Sequence, residues 1–64
     1  MYHYHVDFTC GKIRNYGKIS IKRKILVSTY EVCMMEIHNQ IRTAYNADFD
    51  QNIIIHNFQL LEHN

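Results

Sequence analysis

The segment YHYHVDFTC (2–10) alternates without a break: Tyr2, Tyr4, Val6, Phe8 and Cys10 fall on one side, His3, His5, Asp7 and Thr9 on the other. Period-two alternation of aromatic and β-branched residues predicts a strand with one face buried. Gly11 and Gly17, with Asn15 between them, predict a hairpin loop that needs positive φ at one or two positions. A second strand is expected from about Lys18 to Val27. Ile19, Ile21, Ile25 and Val27 lie on its apolar side, interrupted by Arg23, and Lys18, Ser20, Lys22 and Lys24 on its polar side.

Ser28 and Glu31 have the S-x-x-E spacing of a capping box and predict a helix start. Beyond them Tyr30, Cys33, Met34, Ile37, Ile41, Ala44 and Tyr45 fall within about 120° of arc at 100° per residue, the apolar stripe of a helix lying on a sheet. Asn46 is the expected stop, and ADFDQN (47–52) reads as a loop. The closing segment NIIIHNFQLLEH (52–63) predicts a third strand with poorer alternation. Ile54, His56, Phe58 and Leu60 share one face, and Ile53, Ile55, Asn57, Gln59 and Leu61 the other.

The element order is therefore ββαβ, a single α+β domain over residues 1–64. Its expected form is a three-stranded sheet of order 2-1-3 with one helix packed on one face, since a right-handed crossover sets the third strand beside the first. The uncovered face would carry His3, His5, Asp7, Thr9, Lys22, Lys24, Asn57 and Gln59 in the middle and Leu26, Ile53, Ile55 and Leu61 at its margins.

Size changes this picture in one respect. A chain of 64 residues buries only about 60% of the surface its unfolded form exposes, so a partner subunit is a natural source of added stability. Val32, Met35, Tyr16 and Phe49 are expected to remain exposed and, with the apolar sheet margins, favour a homodimer or docking into a larger assembly. No apolar run approaches the roughly 20 residues that cross a membrane, and no charged-then-apolar leader opens the chain. The expectation is a cytoplasmic protein with no membrane partner.

Charge changes it more. The chain has seven Lys and Arg, and six of them lie in KIRNYGKISIKRK (12–24), while all six acids lie elsewhere. Arg14, Tyr16, Lys18, Lys22, Arg23 and Lys24 are accordingly the candidate partner-binding residues, directed at an acidic protein surface, a nucleoprotein complex or nucleic acid. The competing reading is that lysines on an edge strand discourage strand-to-strand aggregation.

Other chemistry is thinner. His3 and His5 project from the same side of a strand and are the candidate metal ligands, short of a third. Cys10 and Cys33 match no redox or metal spacing. Placed at opposite ends of the sheet, about 26 Å apart along a strand, they exceed the roughly 7 Å that a disulfide spans, and read as buried thiols. With no phosphate loop, paired carboxylates or H-E-x-x-H motif, the expectation is a protein that is not an enzyme and takes no cofactor.

The aromatic first strand (YHYHVDF), the Gly-bracketed loop (GKIRNYG), the Ser/Thr-capped helix (STYEV) and the final FQLL resemble the layout of small ββαβ proteins of bacteriophages and other mobile elements. The layout is similar to that of some inhibitors of host defence, including certain anti-CRISPR proteins. That resemblance implies a protein that acts without catalysis by occupying a surface of a larger machine, and it transfers no binding residue.

Overall fold

In the computed structural model, which describes residues 1–48 and 51–61, the first strand β1 is Tyr2–Cys10. It forms an antiparallel hairpin with β2, Ile13–Ile21, in an unbroken register from Tyr2↔Ile21 to Cys10↔Ile13. The expected seven-residue loop is in fact a two-residue turn, Gly11–Lys12. Positive φ is confined to Gly11 (63°) among the hairpin residues, the pattern of a type II′ turn, whose twist matches that of the flanking strands. Gly17 is ordinary extended backbone opposite Val6. The helix-facing positions of β2 run Ile13, Asn15, Gly17, Ile19, Ile21, and its middle two residues hide the alternation. Asn15 is accommodated there because its Nδ2 donates to the Tyr45 hydroxyl (2.6 Å).

β2 also ends sooner than its composition suggests. Continuing the strand would carry Arg23 onto the buried face, and burying an unpaired guanidinium is costly. The chain instead leaves the sheet after the fully buried Ile21. Lys22, Arg23 and Lys24 lie beyond the strand, not on its uncovered face, and Val27 is wholly solvent-exposed.

A short 3₁₀ turn, Val27–Thr29, leads into helix α1, Tyr30–Ala44. The expected Ser28–Glu31 capping box does not form. Thr29 takes its place: its Oγ1 accepts from the Leu26 amide (2.9 Å) and donates to the Lys24 carbonyl (2.6 Å). The C-terminus follows expectation. Asn46 adopts φ +50°, its amide bonds the Thr43 carbonyl and the Ala47 amide bonds that of Arg42, which together make a Schellman cap.

The third strand, β3 (Ile53–Leu61), pairs antiparallel with β1 on its other side, giving the sheet order β2-β1-β3. Asp7 faces Asn57 and Phe8 faces Ile55, so His56 is an extra residue, a β-bulge. The bulge overturns the expected faces. Ile53 and Ile55 join Phe58 and Leu60 on the helix side, and Ile54 and His56 join Asn57, Gln59 and Leu61 on the open side.

Helix, β1 and β2 build the core: Tyr4, Val6, Phe8, Cys10, Ile19, Ile21, Cys33, Ile37 and Ile41 are buried, whereas no residue of β3 is. Of the expected helix stripe, Tyr30 and Ala44 stay exposed. Both cysteines are buried and free, Cys10 at the hairpin end and Cys33 at the far end, where its Sγ donates to the Arg23 carbonyl (3.6 Å). Phe49 lies outside the described residues, as does the expected continuation of the last strand past Leu61.

Candidate interaction surface

Alternation along β1 and β2 puts Arg14, Tyr16, Lys18 and Ser20 on the open face of the sheet, beside His3, His5, Asp7 and Thr9. That face is organised by cross-strand pairs. Arg14 donates to Asp7 through Nη2 (2.9 Å) and Nε (3.3 Å). The His3 Nδ1 and Ser20 Oγ are 2.6 Å apart, as are the Thr9 Oγ1 and His56 Nε2. The ring of Tyr16 lies 5.4 Å from that of His5, tilted by 42°. Hydrogen bonding to Arg14, with smaller contributions from its charge and from His56 and His5, holds the Asp7 carboxyl below the usual 3.8. Arg14 is pushed up in return.

The cations are thus not equivalent. Arg14 is neutralised by Asp7. Lys12, Lys18, Lys22, Arg23 and Lys24 have no carboxylate within salt-bridge distance among the described residues. They also do not form one patch. Lys12 sits in the hairpin turn and Lys22–Lys24 at the opposite end of β2, and nine strand residues at about 3.3 Å each separate the two by roughly 30 Å. Lys18 projects between them.

The Lys22–Lys24 strap is held at its backbone. The Cys33 thiol reaches the Arg23 carbonyl, Thr29 Oγ1 holds that of Lys24, and the Ile25 amide donates to the Tyr4 hydroxyl (2.8 Å). Each anchor comes from the buried or helix-facing side, so the three cationic side chains are left in solvent. Lys, Arg and Lys thus stand in succession on a backbone that the fold has already ordered.

The candidate metal ligands do not assemble. His3 is engaged with Ser20 and His5 with Tyr16, and Asp7 is committed to Arg14. The bulge brings His56 to the same face, contrary to expectation, but there it meets Thr9. No three His, Cys, Asp or Glu side chains converge on a metal position among the described residues.

Two apolar surfaces complete the exterior. Val32 and Met35 are exposed side by side on the outer face of α1. Ile25, Leu26, Val27 and Tyr30 line a recess, about 570 Å3, against Phe58 of β3. Sequence reasoning found Val32 and Met35 from the helical wheel. It missed the recess and His56, because both depend on where β2 stops and where β3 slips by one residue. The chain carries little signal for the slip: Asn57–Leu60 alternate after His56, but the three isoleucines before it fit either face. Among the described residues no helix is long and apolar enough to cross a membrane. Compared with known proteins, the chain matches no family model, no curated sequence and no solved structure.

Proposed function

We propose that this chain is a non-enzymatic interaction protein that docks on an acidic surface of a larger host protein or nucleoprotein complex and inhibits or adapts it, in the manner of the anti-CRISPR-like proteins its layout resembles. The observation that carries this reading is the Lys22–Arg23–Lys24 strap, three cations without a carboxylate partner among the described residues on a backbone held by Cys33, Thr29 and Tyr4. Like charges side by side on a fixed loop repel one another, and an opposing anionic surface turns that repulsion into attraction and faster encounter. Lys18 stands apart on the open face of β2, with Arg14 and Tyr16 farther toward the hairpin turn, as secondary contacts.

The test is a triple reversal, K22E/R23E/K24E. Binding to the partner recovered by the wild-type chain in a pull-down is lost while thermal unfolding stays nearly unchanged, because all three side chains are exposed. Equal recovery by the reversed variant removes the strap from the function.

A second reading is favoured by Tyr16 against His5 beside Lys18 on the open face, since an aromatic platform flanked by cations suits single-stranded nucleic acid. Four or five phosphate contacts give a log–log salt slope of about −3 on a single strand. A mobility-shift titration with no complex at low salt dismisses it.

A further inference from the structure

β3 differs from every other element in being long, apolar and unfinished. Its nine residues include no Lys, Arg, Asp or Glu, and none of them is buried. Ile54 is half exposed on the open side, and Leu60 and Leu61 are each more than a third exposed on opposite sides. Among the described residues only β1 pairs with it, so its outer row of backbone donors and acceptors faces away from the sheet. Natural edge strands of this kind are normally blunted by charge or covered. β2, the other edge, carries Arg14 and Lys18, and Gln40 of the helix donates to its Ser20 carbonyl (2.7 Å). The apolar recess of Leu26, Val27 and Tyr30 opens beside Phe58, in the middle of this same unguarded strand.

We propose that β3 and the adjoining recess form a self-association surface at which two copies of the chain meet edge to edge about a two-fold axis, making one six-stranded sheet. The occupant is a second copy because of charge. An uncharged strand meets its own image without like-charge repulsion, whereas β2 against β2 sets Arg14 and Lys18 against themselves, and the net charge of each chain is only +1. The bulge at His56 limits regular pairing to the Asn57–Leu61 half. There the Phe58 amide is held by its neighbour Asn57 Oδ1 (2.9 Å), a local bond that a partner carbonyl replaces. A standard interface covers about 800 Å2 per partner, roughly a sixth of the 4978 Å2 that the chain exposes. The dimer turns both β2 edges outward, roughly 24 Å apart across five strand spacings, so each assembly carries two cationic straps. This inference does not depend on what those straps bind.

The experiment is light scattering on the full chain over a concentration series. The expected mass is twice 7.7 kDa. Val27→Asp, at a fully exposed position, and Gln59→Lys, at the exposed centre of the Asn57–Leu61 half, each raise the dimer dissociation constant at least about tenfold by placing like charges across the axis. Their far-UV circular dichroism stays that of the wild type. The reversal K22E/R23E/K24E leaves the mass unchanged, which separates this surface from the docking strap. A mass of 7.7 kDa at every concentration overturns the proposal. So does a dimer that survives both β3-side variants, or a monomer that captures a strand from a different protein.

Discussion

β2 and β3 flank the same central strand, have nine residues each, and are treated in opposite ways by the rest of the molecule. β2 is roofed by α1, contributes Ile19 and Ile21 to the core, and carries charge along its outer side. β3 contributes no buried residue and carries no Lys, Arg, Asp or Glu. One edge is finished within the chain and the other is not. A single 15-residue helix, about 10 Å wide with its side chains, spans three strands spaced at about 4.8 Å only if it is centred over them. Gln40 and Tyr45 bond β2 residues, which sets the helix toward that side.

The sharpest way to break this contrast is to shorten matched isoleucines. Ile21→Ala, at a fully buried site, is expected to cost about 2–5 kcal/mol, and Ile54→Ala in dilute protein less than about 1 kcal/mol, because half its surface is already hydrated. Urea denaturation of both variants reads the difference; equal losses would mean that β3 is as well supported as β2.

The two glycines of the hairpin sharpen the same comparison at the level of backbone. Gly11→Ala forces an L-residue into φ +63° and should destabilise by about 1–2 kcal/mol. At Gly17 an added Cβ meets nothing within 4 Å. Gly17→Ala should be neutral or stabilising by up to about 1 kcal/mol, since glycine weakens strand interiors. Thermal melts of the pair decide whether the turn is two residues or seven.

Tyr4→Phe deletes the hydroxyl that accepts the Ile25 amide and should cost about 1 kcal/mol, with faster amide hydrogen exchange concentrated at the strap. Exchange that rises uniformly would show that the strap is not separately anchored.

The smallest effect is that of acid. The Arg14 hydrogen bond holds the folded Asp7 carboxyl below 3.8, so its stabilising contribution is complete above that value and is lost as pH falls from there through the lower folded pKa. His38, lowered from 6.5 by burial and by Arg42, takes its proton more readily when unfolded, so stability also falls below about that pH. Both act in the same direction. Melting temperature measured against pH should fall in two steps, and Asp7→Asn should remove the lower one only.

Much of this architecture can be read along the chain. The alternation of residues 2–10, the 3.6-residue recurrence from Cys33 to Ile41 and the Asn46 stop are local regularities, and each formed where it was expected because nothing distant opposed it. The readings that failed share one cause. Asn15 and Gly17 look like loop, Arg23 like an interrupted strand and His56 like a core-side residue. In each case the alternative became favourable only through a partner elsewhere in the chain: Tyr45 for Asn15, Val6 for Gly17, Tyr4 for the strap, Thr9 for His56.

The sequence by itself thus determined the element order, the apolar faces of β1 and α1, and the crowding of cations between residues 12 and 24. Periodicity and composition need no knowledge of what lies opposite. The tertiary structure alone decided where β2 stops, which way each half of β3 faces, which cation is neutralised and which edge is left bare. Register, cross-strand pairing and the reach of one helix are relations between segments, and their energies exist only once those segments meet.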